Sequence, residues 1–307
     1  MKILVIGGSY FFGRVFTMYA TKEHDVTVAN RGTYSMEEFG ATQLILDRHN
    51  EADLEQLSQL TFDIVVDFCA YEPGDIRDII CRLEGIKQYV MISTVDVLEH
   101  TVGQGEDSIL KKEDAPYEMR QFPGETGAYI SGKVILEHEL IEQCKERGIN
   151  YTIIRPAILY GPYNYAPRES EYIKQILTEG HIIMPENAKG AFQFVYVKDA
   201  ALMTLAIVGN KNAYNQAFNV CAPEIHTYDT FERTMAQCSD EEYELYLAEP
   251  EQMIEINMFL PFPVTADESQ LYDGNRIAQI TNIEYTPLDI GLKKTYDAFA
   301  NIYSDKD

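Results

Sequence analysis

The sequence predicts a doubly wound α/β fold, a parallel sheet covered by helices on both faces, with a smaller C-terminal α/β region. Three observations predict it. Short β-branched runs alternate with longer helical patterns through the first half of the chain, the order that builds a parallel sheet. Val65-Val66 and Ile153-Ile154 show no polar alternation, as strands buried on both sides require. A glycine-rich turn joins the first strand to the first helix.

Taken in order, Lys2–Ile6, Asp25–Ala29, Gln43–Leu46, Phe62–Phe68, Tyr89–Ile92 and Tyr151–Ile154 read as strands. Phe11–Thr21, Ala52–Leu60, Ile76–Leu83 and Tyr129–Arg147 read as the helices between them. Glu99 to Thr126 is charged, Gly-rich and poorly periodic, and reads as a long surface loop. After Pro162 the pattern turns irregular, with Pro, Tyr and Asn clustered through Pro167. Phe192–Val197 is strand-like, Lys198–Ile207 helical, and Ala217–Val220 one more strand. The final ~85 residues carry short helices separated by Pro, Gly and Asp, as a smaller cap would. The expected division is residues 1–165 with 191–221 as one domain, and 166–190 with 222–307 as a substrate-binding domain.

Composition excludes several classes. The 307 residues are 46% hydrophobic and 24% charged, a globular balance. There are 25 Lys+Arg against 49 Asp+Glu, a formal charge of −24. That field repels polyanions, so no nucleic-acid partner is expected. No apolar run reaches the ~20 residues that cross a bilayer, so no membrane partner is expected either. The N-terminal Met1 to Gly8 run reads as a buried strand rather than a signal peptide. The five cysteines (Cys69, Cys81, Cys144, Cys221, Cys238) are scattered without a C-x-x-C, which suits a reducing cytoplasm. The six histidines form no ligand pair, so no metal is expected.

Gly7-Gly8-Ser9-Tyr10-Phe11-Phe12-Gly13 follows strand one and opens a helix. Glycines let such a turn tighten and let backbone approach a pyrophosphate, while the helix start offers free N–H groups. Gly8 to Gly13 also has P-loop spacing, but Arg14-Val15 stands where Lys and Ser/Thr are needed. A dinucleotide site of the Rossmann kind is the expectation, with Tyr10 where a middle glycine would leave more room. Strand two ends at Asn30-Arg31-Gly32. Asn30 does not repel a 2′-phosphate and Arg31 can fork onto one, so NADP is preferred over NAD.

Tyr129-Ile130-Ser131-Gly132-Lys133 opens a long helix. Residues four apart share a face, so the Lys133 ammonium would lie near the Tyr129 phenol and lower its pKa. Of 21 tyrosines only Tyr129 has Lys four residues on. It follows the strand ending Ser93-Thr94, where a hydroxyl could hold a substrate oxygen.

With these segments, Leu46-Asp47-Arg48, Asp67-Phe68-Cys69-Ala70-Tyr71, Arg155-Pro156, Tyr160-Gly161-Pro162 and Phe194 to Ala200, the chain resembles an extended short-chain dehydrogenase/reductase of the NAD(P)-dependent epimerase/dehydratase family. Its Asn30-Arg31-Gly32 ending is similar to an atypical subgroup that includes plastid RNA-associated relatives. The resemblance implies a catalytic set of Thr94, Tyr129 and Lys133, with Lys133 also on the nicotinamide ribose. It implies adenine contact at Asp47 and a ribose-side lining by Phe68, Cys69, Ala70 and Tyr71. It adds Arg48, Ser93, Arg155 and Pro156 to the cofactor-binding residues. Substrate residues would be Asp96, Ile158, Tyr160 and Arg168. Ile158 stands where sugar-nucleotide enzymes of the family carry asparagine, and Val95-Asp96 leaves one carboxylate where dehydratases have two.

The implied activity is hydride transfer between nicotinamide and a secondary alcohol or ketone of a sugar-nucleotide-like small molecule, with Tyr129 as acid/base. A non-catalytic dinucleotide-binding scaffold and an RNA-associated protein are the alternatives. A homodimer is the family's expectation.

Overall fold

The computed structural model describes residues 1–99, 103, 105–111 and 125–304. The first half runs β1 (Lys2–Ile6), α1 (Phe11–Ala20), β2 (Asp25–Asn30), β3 (Thr42–Ile45), α2 (Glu51–Glu55), β4 (Ile64–Asp67), α3 (Asp75–Ile80), β5 (Gln88–Ile92), α4 (Glu125–Arg147) and β6 (Asn150–Pro156). There follow β7 (Ile158–Tyr160), α5 (Glu169–Glu179), β8 (His181–Pro185), β9 (Phe194–Tyr196), α6 (Val197–Ile207), β10 (Gln216–Val220), α7 (Tyr228–Cys238), β11 (Glu244–Ala248), α8 (Pro250–Glu255), α9 (Asn275–Thr281) and α10 (Leu288–Ser304).

Seven strands form one sheet in the order β10-β6-β5-β4-β1-β2-β3. Every pair in it is parallel. The chain winds outward from β1 in both directions, so strand order reverses between β1 and β4, where a crevice opens at the carboxyl ends. Alternate residues of each strand serve opposite faces. Ile3 and Val5 join one apolar cluster with Phe12, Phe16 and Ala200. Leu4 and Ile6 join another with Ile76, Ile79 and Leu136. Both faces are apolar because both are covered, which is why β1 and β4 lack polar alternation.

Two short parallel pairs, β7 with β9 and β8 with β11, lie outside the main sheet. The sequence reading left residues 169–185 irregular, but α5 and β8 occupy them. The apolar stripe Tyr172, Ile173, Ile176 and the stop at Gly180 (φ +70°) account for that helix. The expected helix Ala52–Leu60 is shorter, passing into a 3₁₀ turn at Gln56–Gln59. The C-terminal region holds a helix of 17 residues, α10, rather than short helices alone. Of the expected loop from Glu99 to Thr126, residues 100–102, 104 and 112–124 lie outside the described residues.

Candidate active site

The glycine turn is built by close approach. Gly7 takes φ +77°, and its N–H donates to the Ala29 carbonyl at 3.0 Å. A Cβ on Gly13 would stand 2.8 Å from the Gly7 carbonyl oxygen and 3.0 Å from Gly8 Cα. Only hydrogen fits there, so α1 starts directly against the turn. Tyr10 is the N-cap of α1 but its side chain caps nothing, and no acidic residue sits in the first turn. The helix therefore presents its N–H groups and positive dipole end outward. These features fit a dinucleotide pyrophosphate. The Tyr10 ring is turned outward, edge-on to Tyr34 at 4.8 Å between centroids. Ser9, Phe11 and Phe12 are buried in the same turn, and Phe12 packs on Phe68 at 5.1 Å.

Asn30 closes the turn after β2 with its whole side chain. Its Nδ2 donates to Ser9 Oγ (2.9 Å) and the Tyr34 carbonyl (3.0 Å). Its Oδ1 accepts from Gly32 N (2.7 Å) and Gln43 Nε2 (2.9 Å). All four hydrogen-bonding positions of the amide are filled. Asn30 is thus a buckle, and the adjacent Arg31 is the exposed residue of the pair.

Asp47 Oδ1 accepts the His49 N–H at 3.0 Å, shaping the loop after β3. Arg48, expected at the cofactor, turns inward instead. Its two terminal nitrogens donate to the two oxygens of Asp67 at 3.1 Å each, and Nε lies 3.2 Å from Asp75 Oδ1. Tyr89 Oη donates to Asp67 Oδ2 at 2.6 Å. Burial alone would raise the Asp67 pKa, but the Arg48 guanidinium holds it below the usual carboxylate range. Asp75 Oδ2 accepts the N–H groups of Tyr71 (2.8 Å) and Glu72 (3.0 Å). Arg48 therefore fixes the loop that carries Cys69, Ala70 and Tyr71. The Cys69 thiol abuts Gly7, and burial pushes it up to about 11.

Tyr129 and Lys133 share one face of α4, as their spacing requires. A Cβ on Gly132 would meet the Tyr71 carbonyl oxygen at 2.9 Å, so this glycine lets α4 close on the loop after β4. Lys133 is 2% exposed, and its Nζ donates to the carbonyls of Ala70 (2.8 Å) and Ile92 (2.9 Å). The ammonium stands 4.7 Å from the Tyr71 ring centre and 5.7 Å from that of Tyr129. Burial lowers the Lys133 pKa to about 8.

The expected lowering of the Tyr129 pKa is not what the structure has. Desolvation, then Tyr71 and Asp96, push the phenol above its ordinary value, and Arg168 opposes them. The ammonium is drawn to the two carbonyls, which explains the difference. Thr94 Oγ1 donates to Asp96 Oδ2 at 2.8 Å and accepts the Asp96 N–H at 3.2 Å. Its proton is thus committed, and it offers a substrate an acceptor lone pair.

Ser93 and Arg155, also expected at the cofactor, meet on Glu137 instead. Ser93 Oγ donates to Glu137 Oε1 (2.6 Å), and Arg155 grips both oxygens (2.9 and 2.6 Å). All three are buried. Sequence reasoning missed Glu137, although it lies four residues beyond Lys133 on the same helical face. Pro156 ends β6 and pairs with Val220 in the ladder.

Tyr160 is a core residue, not a substrate wall. It is 1% exposed and packs on Phe194 and Tyr196 at 5.4 and 5.5 Å. Ile158 is half-buried against the same cluster. Arg168 lies at the start of α5, and its charge reaches Tyr129. Among the described residues no cluster of His, Cys, Asp and Glu could hold a metal, and no helix is long and apolar enough to cross a membrane.

Comparison with known proteins gives the same fold. UDP-glucuronic acid 4-epimerase from Bacillus cereus, solved with NAD, superposes with a TM-score of 0.76 at 18% identity, covering 99% of this chain and 100% of that one. UDP-glucose 4-epimerase from Thermotoga maritima, solved with UDP-glucose, gives 0.77 at 18% identity, covering 98% and 99%. The chloroplast stem-loop binding protein of 41 kDa b from Arabidopsis thaliana is 27% identical over 77% of this chain. This chain spans 62% of that protein's length. A sequence profile of the NAD dependent epimerase/dehydratase family matches residues 76–221. That stretch, which holds Thr94, Tyr129, Lys133 and Arg155, is similar to the NAD dependent epimerase/dehydratase family, and the whole chain has the fold of the two epimerases above.

Proposed function

We propose that this protein is an oxidoreductase that uses NADP(H) in preference to NAD(H), acting at a carbonyl or secondary alcohol carbon of a sugar-nucleotide-like small molecule. The observation that carries it is Tyr129 and Lys133 on one face of α4, at the same carboxyl end of the sheet as the uncapped start of α1. The Gly7 to Gly13 turn would hold the pyrophosphate, and Arg31 the 2′-phosphate, since Asn30 has no bond left to give. A nicotinamide dinucleotide supplies a hydride donor or acceptor at its ring C4.

The chain's own part is proton handling and orientation. Tyr129 keeps its proton at neutral pH, so Oη is set to donate to a carbonyl oxygen as negative charge develops there. Two of the three Lys133 donors are taken by Ala70 and Ile92, and the third would hold a ribose hydroxyl. Thr94 accepts from a substrate hydroxyl. That the fold relatives are UDP-glucuronic acid and UDP-glucose 4-epimerases supports a sugar-nucleotide substrate. The stem-loop binding in the plant relative's name finds no support in a chain of net charge −24. One observation favours a dinucleotide-binding role without turnover: the Thr94 proton is spent on Asp96.

The test is a nicotinamide-fluorescence titration with NADPH and NADH, which the absence of tryptophan makes clean. NADPH should bind more tightly, and Arg31→Ala should erase the difference. With a substrate in hand, Tyr129→Phe should abolish turnover while leaving cofactor affinity nearly unchanged. Full turnover in that variant would refute the acid/base assignment, and binding without turnover of any carbonyl or alcohol would select the non-catalytic role.

A further inference from the structure

We propose that Tyr165 is a gate over the glycine turn, swinging between a closed position against Tyr10 and Phe11 and an open one that lets a dinucleotide in and out. The inference rests on the dinucleotide reading above and goes beyond it, because it concerns passage rather than binding.

Four observations converge on this side chain. Tyr165 stands edge-on to Tyr10 at 6.2 Å and to Phe11 at 6.3 Å between centroids. It thereby ties the loop after β7 to the start of α1. Its phenol also bears on the protonation of Tyr71 and Tyr129, so it faces the other half of the cleft as well. One side chain thus touches the pyrophosphate turn and stands within electrostatic reach of Tyr129. Phe11, which receives it, sits at φ +31°, a conformation that costs a non-glycine residue.

The loop has a fixed root and a free tip. Asn164 is 6% exposed and donates through Nδ2 to both oxygens of the fully buried Glu169 at 2.8 and 2.9 Å. Glu169 Oε1 also accepts the Gly161 N–H at 3.1 Å. Asn164 Oδ1 accepts the Ala166 N–H at 3.0 Å. With Asn164 pinned inward, its neighbours project outward: Tyr163 lies with its ring 5.0 Å from the Arg14 guanidinium, and Tyr165 over the turn. Tyr165 is 72% exposed, so its hold is edge contact alone and opening buries or breaks nothing else. Tyr10, standing where a glycine would leave space, supplies the post against which the gate closes.

Stopped-flow NADPH fluorescence on the full chain separates a gate from a binding contact. A gate slows entry and exit together, whereas a contact slows exit alone. Tyr165→Ala should raise both the association and the dissociation rate constants about five- to tenfold, the order set by losing one or two edge contacts. The equilibrium affinity should stay within about twofold. Tyr165→Phe, which keeps the ring, should behave as wild type. Faster release with unchanged association would make Tyr165 a contact and overturn the gate, as would two unchanged rates. If wild type takes up no dinucleotide while Tyr165→Ala does, Tyr165 occludes the site rather than gating it, and the gate is overturned. If neither takes it up, the dinucleotide reading falls and the gate with it.

Discussion

At the residue scale, Lys133 is the clearest case of a side chain held against its own stability. Its pKa falls from the ordinary 10.5 to about 8 because burial disfavours the ammonium, although Asp67 pulls the other way. The folded state binds that proton less tightly than the unfolded chain, so the cost is complete below about pH 8. It shrinks as pH rises from there toward 10.5 and is gone above it. The gap corresponds to roughly 3 kcal/mol near neutrality. Lys133→Met removes it at every pH. Urea unfolding should therefore show the variant's stability relative to wild type to be better at about pH 7 than at about pH 10, by roughly 2 kcal/mol. Equal differences at the two pH values would mean that the ammonium is solvated in place. The Tyr129–Lys133 pairing was legible because helical spacing alone sets it. The destination of Arg48 was not: Asp67 and Asp75 lie far along the chain, and only the sheet brings them together. Tyr160 misled for a related reason, since an aromatic in a Tyr-Gly-Pro turn reads alike whether it faces a cleft or a core.

At the scale of elements, α4 closes on the loop after β4 through the contact at Gly132. Gly132→Ala should gain up to ~1 kcal/mol of helix propensity. It should lose more to overpacking against the Tyr71 carbonyl, for a net loss of about 1–2 kcal/mol. Turnover should fall with it, because Tyr129 and Lys133 ride on the displaced turn. A variant that is more stable and fully active would show that the helix has room to shift. The central strands β1, β4 and β5 were readable from their apolar runs, and β1, β2 and β5 begin and end within a residue of expectation. Residues 169–185 were missed because the Pro-rich stretch before them masked an ordinary helical stripe. The 3₁₀ ending of α2 has no periodic signature of its own.

At the scale of the whole molecule, 49 acidic against 25 basic residues leave a self-repelling surface. The buried ion pairs Arg48–Asp67 and Arg155–Glu137 are shielded from solvent, so salt acts mainly on the surface carboxylates. The melting temperature should rise between about 20 mM and 500 mM sodium chloride, as measured by calorimetry. A fall would mean that attractive surface pairs outweigh the repulsion. The larger apolar cluster runs from Ile3 through Phe231 and Phe262 to Tyr296, so residues from both ends of the chain melt out of one core.

The Asn30 buckle has a consequence for protein engineering. Redesign of nicotinamide preference commonly starts by placing a carboxylate at the end of the second strand, where it can hold the ribose hydroxyls of NAD. Here an aspartate would turn two donors into acceptors: the Ser9 hydroxyl could reverse and donate, but the Tyr34 carbonyl would face a lone pair. The obvious one-residue edit would unfasten the turn before it altered selectivity. A designer would have to rebuild residues 30–34 and Ser9 together, because position 30 is tied into the scaffolding of the turn.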